Sequence, residues 1–200
     1  MPVAGPCRKA GILANRRHLS APLATKTLMA ILRGQQTGSG SGIGMAIRIC
    51  VPKEVREGEH RIALAPDAVK RLSGNGIEIS VQAGAGELIG YTDESFNGAE
   101  IVSDAGELLG KADISLLVNP PTGEQIAQLR EGSVLIGFLD PHADLQRFEQ
   151  LAQRNISAFS VELIPRISRA QAMDALSSQA SIAGYKAVLL GAAHLGKFFP

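Results

Sequence analysis

Tryptophan is absent from the 200 residues, and aromatic residues of all kinds make up only 4%. Few flat rings are available to stack on bases, which weakens any single-stranded nucleic-acid reading. No run of 18 apolar residues occurs, so no stretch reads as a membrane-spanning helix. Cysteine is limited to Cys7 and Cys50. Two isolated thiols, one inside an apparent strand, suggest a reducing compartment without disulfides. The four histidines, His18, His60, His142 and His194, share no spacing that suggests a metal centre. No serine stands in a nucleophile-elbow context. Hydrolase and metalloenzyme readings fall away together. Acidic residues are missing from 1–44, which carry six Lys/Arg, whereas 45–200 hold fourteen Lys/Arg against nineteen Asp/Glu, a net of −5. The acidic region is a poor nucleic-acid binder.

What is present is a globular composition, 45% apolar and 20% charged. Residues 1–44 stand apart. They are rich in Gly, Pro, Ser, Thr and basic residues, end in TGSGSGIG, and are expected to be disordered. They read either as a transit-like leader or as an extension upstream of a natural beginning at Met45. From Met45 strands and helices alternate. Strands are expected at 47–51, 78–82, 100–102, 114–118, 134–138 and 156–160. Helices are expected from Pro66 to Leu72, at 93–97 capped by Thr92, from a Ser103 cap to Leu109, at 123–129 and at 143–155. Repeated βαβ units imply an α/β domain with a parallel sheet covered on both faces, Rossmann- or flavodoxin-like, over residues 45–165.

The most polar cluster follows the last expected strand. Arg166, Arg169, Gln171, Asp174, Ser177, Ser178 and Gln179 fall within fourteen residues. Ser168 and Gln171 have the spacing of a capping box, which predicts one helix from near Arg169 past Leu190. On such a helix Gln171, Asp174 and Ser177 would share an arc of roughly 120°. Its other residues are largely small, leaving these side chains prominent. One reading is a plain, well-capped helix N-terminus; the other is a site presenting an amide, a carboxylate and a hydroxyl, with Arg166 on the entering loop.

The string RISRAQAMDALSSQASIAGYKAV resembles the signature of the NAD-binding alpha subunit of proton-translocating NAD(P) transhydrogenase, a relative of alanine dehydrogenase. The resemblance implies hydride transfer between NAD(H), held by this subunit, and NADP(H) on a partner component, coupled to proton movement through a membrane subunit. It implies that Arg166, Gln171, Asp174 and Ser177 bind the cofactor, with no acid–base catalytic residue required. It also implies a homodimer lying peripherally on the cytoplasmic side of the inner membrane, or in an organelle if 1–44 is a leader. Family members continue beyond the long helix at 166–200 into a Rossmann domain with the pyrophosphate-binding glycine loop. That second domain is missing here, so this chain alone is expected to be inactive. The segment 84–90, GAGELIG, is one residue out of register for a dinucleotide loop and is expected to form a tight turn.

Alanine dehydrogenase is the competing reading. VPKE at 51–54, followed by a charged loop to Arg61, is similar to the start of those enzymes, in which the matching arginine holds the substrate carboxylate. They carry a lysine where this chain has Asn119 and a histidine where it has Asp140. An asparagine cannot titrate, and an ordinary aspartate is a poor proton shuttle near neutrality. A non-catalytic interaction domain is the third reading.

Overall fold

The computed structural model describes residues 46–73 and 76–197. The expected disorder of 1–44 lies outside the described residues. Six strands form one sheet: β1 (Ile47–Val51), β2 (Ile77–Gln82), β3 (Ala99–Val102), β4 (Ile114–Leu116), β5 (Val134–Gly137) and β6 (Ser157–Ser160). All neighbours are parallel, in the order β3-β2-β1-β4-β5-β6. Among the described residues five α-helices accompany them: α1 (Pro66–Leu72), α2 (Ala105–Lys111), α3 (Gly123–Gln128), α4 (Leu145–Gln153) and α5 (Ala175–His194).

Strand order and connection handedness together decide which face each helix covers. Right-handed crossovers from β1 outward to β3, and then from β3 back across to β4, put α1 on one face and α2–α4 on the other. The core packs against the second face, where Leu108, Leu109, Ile126, Leu129 and Leu151 meet Cys50, Leu117 and Leu135. Central β1 is buried at consecutive residues Ile49, Cys50 and Val51, as a strand covered on both sides must be.

The expectation of two covered faces holds only for the centre of the sheet. On β2, Ile79 and Val81 are buried but Glu78 is exposed, and Glu100 is exposed on β3. Helix α2 leaves an open groove over this edge, lined by Arg48, Glu78, Ser80, Glu100 and Lys111. The edge strand β3 and its neighbour β2, with charged residues on one face, need no second layer there.

Helix starts follow the best available cap. Pro66 opens α1, with Asp67 in its first turn and Lys70 and Arg71 in its last. Thr122 and Gln125 close a full capping box on α3. Three expected starts are corrected. Asp104, not Ser103, caps α2, accepting from the Glu107 amide at 2.6 Å. Asp144 caps α4 two residues later than expected. Residues 93–95 make a single 3₁₀ turn in which Thr92 Oγ1 faces Ser95 Oγ rather than a backbone amide.

The largest correction concerns the predicted helix from Arg169. Ser168–Met173 forms a 3₁₀ segment entered at Ile167 without a side-chain cap, so the Ser168–Gln171 capping box does not form. The chain breaks at Asp174 (φ −76°, ψ 86°), and α5 starts from there. Asp174 competes successfully because its carboxylate reaches the Ser177 amide directly. Beyond Gln179 every described residue of α5 is exposed, including Ile182, Tyr185 and Val188. The segment 84–90 forms a turn as expected. Gly84 and Gly90 take φ of 71° and 85°, and a Cβ on Gly86 would lie 2.7 Å from Tyr91 Cβ.

Candidate nucleotide-binding site

Between β1 and β4 the chain turns outward in opposite directions, which opens a crevice at the carboxyl ends of these two strands. Pro52, fully buried, ends the β1 ladder and sends the charged loop 53–61 over this crevice. The end of β4 lies opposite, and Glu54 joins the two. Its Oε1 accepts from the Val118 amide at 2.6 Å, and its Oε2 from the Asn119 amide at 3.1 Å and Asn119 Nδ2 at 3.0 Å. A carboxylate thus takes up backbone donors that the sheet leaves unpaired where β4 stops.

Asn119, buried, is held from every side. Nδ2 also donates to Glu59 Oε2 at 2.9 Å, and Oδ1 accepts from Arg56 Nη1 at 3.3 Å. Glu59 in turn receives Arg61 in a two-pronged pair, Nε to Oε1 at 2.8 Å and Nη2 to Oε2 at 2.6 Å. The Arg61 hydrogen bonds hold the Glu59 carboxyl down at about 2 against the opposing effect of burial. Glu59 pushes the Arg61 guanidinium upward by the same contact. The remaining Arg61 nitrogen, Nη1, donates to Gln179 Oε1 on α5 at 3.2 Å. Arg61, which the alanine dehydrogenase resemblance makes a substrate-carboxylate ligand, is here committed to Glu59 and Gln179.

The residues singled out in sequence as cofactor-binding are partly assembled. Asp174 Oδ2 accepts from Ser177 Oγ at 2.5 Å while Oδ1 accepts from the Ser177 amide at 2.9 Å. These bonds hold the exposed Asp174 carboxyl below its ordinary value, and Arg166 adds a weaker through-space contribution. Arg166 reaches Asp174 by charge and not by a hydrogen bond among the described residues. Gln171 lies in the 3₁₀ segment, exposed, joined to Asp174 through its backbone carbonyl at 3.2 Å. The shared helical arc is therefore replaced by a bend between Gln171 and Asp174. Asp140, where alanine dehydrogenases carry histidine, is exposed at φ 47°, its amide donating to Glu162 Oε1 at 2.5 Å. The contacts of 54, 59 and 119 and the bond from Arg61 to Gln179 were not foreseen. The available signal was a glutamate shortly after β1, at the carboxyl edge where parallel sheets bind ligands.

A parallel sheet in the order 3-2-1-4-5-6, with its polar groups gathered at the switch point, defines an α/β domain of the dinucleotide-enzyme type. Comparison with known proteins narrows this. The sequence pattern described as "Alanine dehydrogenase/PNT, N-terminal domain" matches residues 50–183, and the chain belongs to that family. It is 43% identical over 161 residues to the NAD(P) transhydrogenase alpha subunit, first polypeptide, of Rhodospirillum rubrum, covering 77% of this chain and 42% of that protein. Alanine dehydrogenase of Halomonas elongata is more distant, at 32% identity over 153 residues, covering 76% of this chain and 41% of that protein. The transhydrogenase structure from Sinorhizobium meliloti superposes with a TM-score of 0.73 at 35% identity, over 76% of this chain and 46% of that one. The chain spans less than half the length of these relatives.

Proposed function

We propose that this chain is the N-terminal portion of the NAD(H)-binding subunit of a proton-translocating transhydrogenase, in which Asp174, Ser177 and Arg166 orient the nicotinamide carboxamide. Gln171 faces the second nucleotide. The observation that carries this reading is the Asp174–Ser177 pair at the start of α5, an ionised carboxylate and a hydroxyl held in contact on an exposed helix end. Direct hydride transfer needs two nicotinamide rings held together with water excluded, and no proton shuttle from the protein. A carboxylate, a hydroxyl and a guanidinium are suitable partners for an amide.

In this reading NADP(H) sits on a partner component, a membrane subunit carries the protons, and the subunit is a homodimer lying peripherally on the membrane. No described helix is long and apolar enough to cross a membrane itself. The long α5 leads into a second, pyrophosphate-binding domain and is covered in the assembled protein, as its exposed Ile182, Val188, Leu189 and Leu190 favour. The preference for transhydrogenase over alanine dehydrogenase rests on Asn119, whose amide fills the space between Glu54 and Glu59 and cannot titrate.

The test is Asp174→Asn in the intact protein. Hydride transfer is expected to slow by about a hundredfold with NAD affinity within several-fold, because a displacement of about 1 Å at the reacting carbon has that consequence. Asp174 also caps α5, so thermal stability is measured on the same variant. Lost stability with turnover intact makes Asp174 structural only and removes the assignment.

A further inference from the structure

We propose that Gln179 is a positioning residue: the Arg61–Gln179 hydrogen bond is a tether that sets the direction of α5, and so the placement of Asp174 and Ser177, from the switch-point crevice. The role rests on the transhydrogenase reading of those two residues. Three observations carry it. Gln179 is the last residue of α5 that is half-buried rather than exposed, so it marks where the helix leaves the domain. Its carbonyl is bound by a side chain 118 residues earlier in the chain, at 3.2 Å. That side chain is itself rigidly mounted. Glu59 grips Arg61 by two nitrogens, Asn119 grips Glu59, and Glu54 ties Asn119 to the end of β4.

Mechanically, α5 is a lever about 30 Å long. Its start is defined by a bend at Asp174 (ψ 86°), which separates it from the 3₁₀ segment. One turn and a half further on, the Arg61 bond gives the helix a second fixed point. A guanidinium is suited to this because its planar fork can hold a carboxylate with two nitrogens and still donate with the third. Loss of the Gln179 acceptor therefore leaves the Asp174–Ser177 contact formed but imprecisely aimed.

Gln179→Leu and Gln179→Glu in the intact protein separate this from a merely structural role, since glutamate keeps an acceptor for Arg61 and leucine does not. Nitroxides placed by Lys70→Cys and Lys186→Cys, both side chains exposed in this chain, report the angle between α1 and α5. The leucine variant is expected to broaden the distance distribution and to slow single-turnover hydride transfer by about tenfold, with the NAD dissociation constant within about threefold. The glutamate variant restores both to near the parent. An unchanged distribution in Gln179→Leu refutes the tether. A broadened distribution with an unchanged rate, in a protein where Asp174→Asn is slow, refutes its positioning role. If Asp174→Asn is not slow, the transhydrogenase reading itself fails and the role assigned to Gln179 goes with it.

Discussion

Asn119 shows how a single side chain determines what its neighbours can do. One amide nitrogen serves two carboxylates, Glu54 at 3.0 Å and Glu59 at 2.9 Å, and the arginines Arg56 and Arg61 offset the negative charge so gathered. Glu59, with its side chain only 9% exposed, stays ionised because Arg61 donates to both of its oxygens. This has a pH signature. The Glu59 carboxyl falls from an ordinary 4.5 to about 2 on folding, so its stabilising contribution is complete above about pH 4.5 and is lost as pH falls towards 2. The stability gap between the parent and Glu59→Gln, followed by thermal unfolding, is expected to be constant from pH 5 to 7 and to close below about pH 4.5. A gap that widens on acidification rules this out. Cys50 moves the other way. Burial pushes its thiol up to about 11 despite a bond to Ser115, leaving a negligible thiolate fraction at neutrality.

At the scale of elements, aspartate decides where three of the five described α-helices begin. Asp104, Asp144 and Asp174 each accept from the amide three residues on, and each lies where sequence patterning placed the start elsewhere. Ser103 and Ser168 satisfy the same compositional rule but lose to a neighbour whose oxygen carries full charge and meets the positive helix end. Asp104→Ala is expected to lower stability by about 1 kcal/mol and Ser103→Ala by a few tenths at most, measured by chemical denaturation. Equal effects would return the cap to Ser103. The start of α5 matters most for function, since the same Asp174 is both cap and candidate ligand. In the cap both carboxylate oxygens already hold Ser177, and each still has acceptor capacity for a carboxamide.

Across the whole molecule, the crevice between β1 and β4 joins segments far apart in sequence into one unit. Loop 53–61, the end of β4 and α5 meet through Glu54, Glu59, Arg61 and Gln179. In an alanine dehydrogenase this region must polarise a carbon and move protons. Here its centre is a neutral amide, and Arg61 is engaged within the protein. The intact protein is therefore expected not to reduce NAD with alanine. Asn119→Lys combined with Asp140→His is the smallest change expected to begin to allow it, since a lysine at 119 would meet the waiting Glu54 and Glu59 carboxylates. Steady alanine-dependent NAD reduction by the unaltered protein, followed by absorbance, would place it on the other branch of the family.

Sequence alone determined the α/β class, the identity of all six strands and the family. Strands were legible because β4 and β5 are short, mainly apolar runs bounded by Pro120 and Gly132, β1 ends at Pro52, and β2 alternates with period two. Helix ends were less legible. Adjacent cap candidates differ by one residue, and backbone geometry chooses between them. Of the candidate site, the residue types at 166–177 were visible, but their mutual placement was not: a helical wheel assumes one continuous helix, and the bend at Asp174 turns Gln171 out of it. The switch-point network was hidden for a different reason. Apart from the Glu59–Arg61 pair, its hydrogen bonds span 60 to 118 positions of sequence, so only the assembled sheet, with β1 beside β4, brings Glu59 to Asn119 and Arg61 to Gln179.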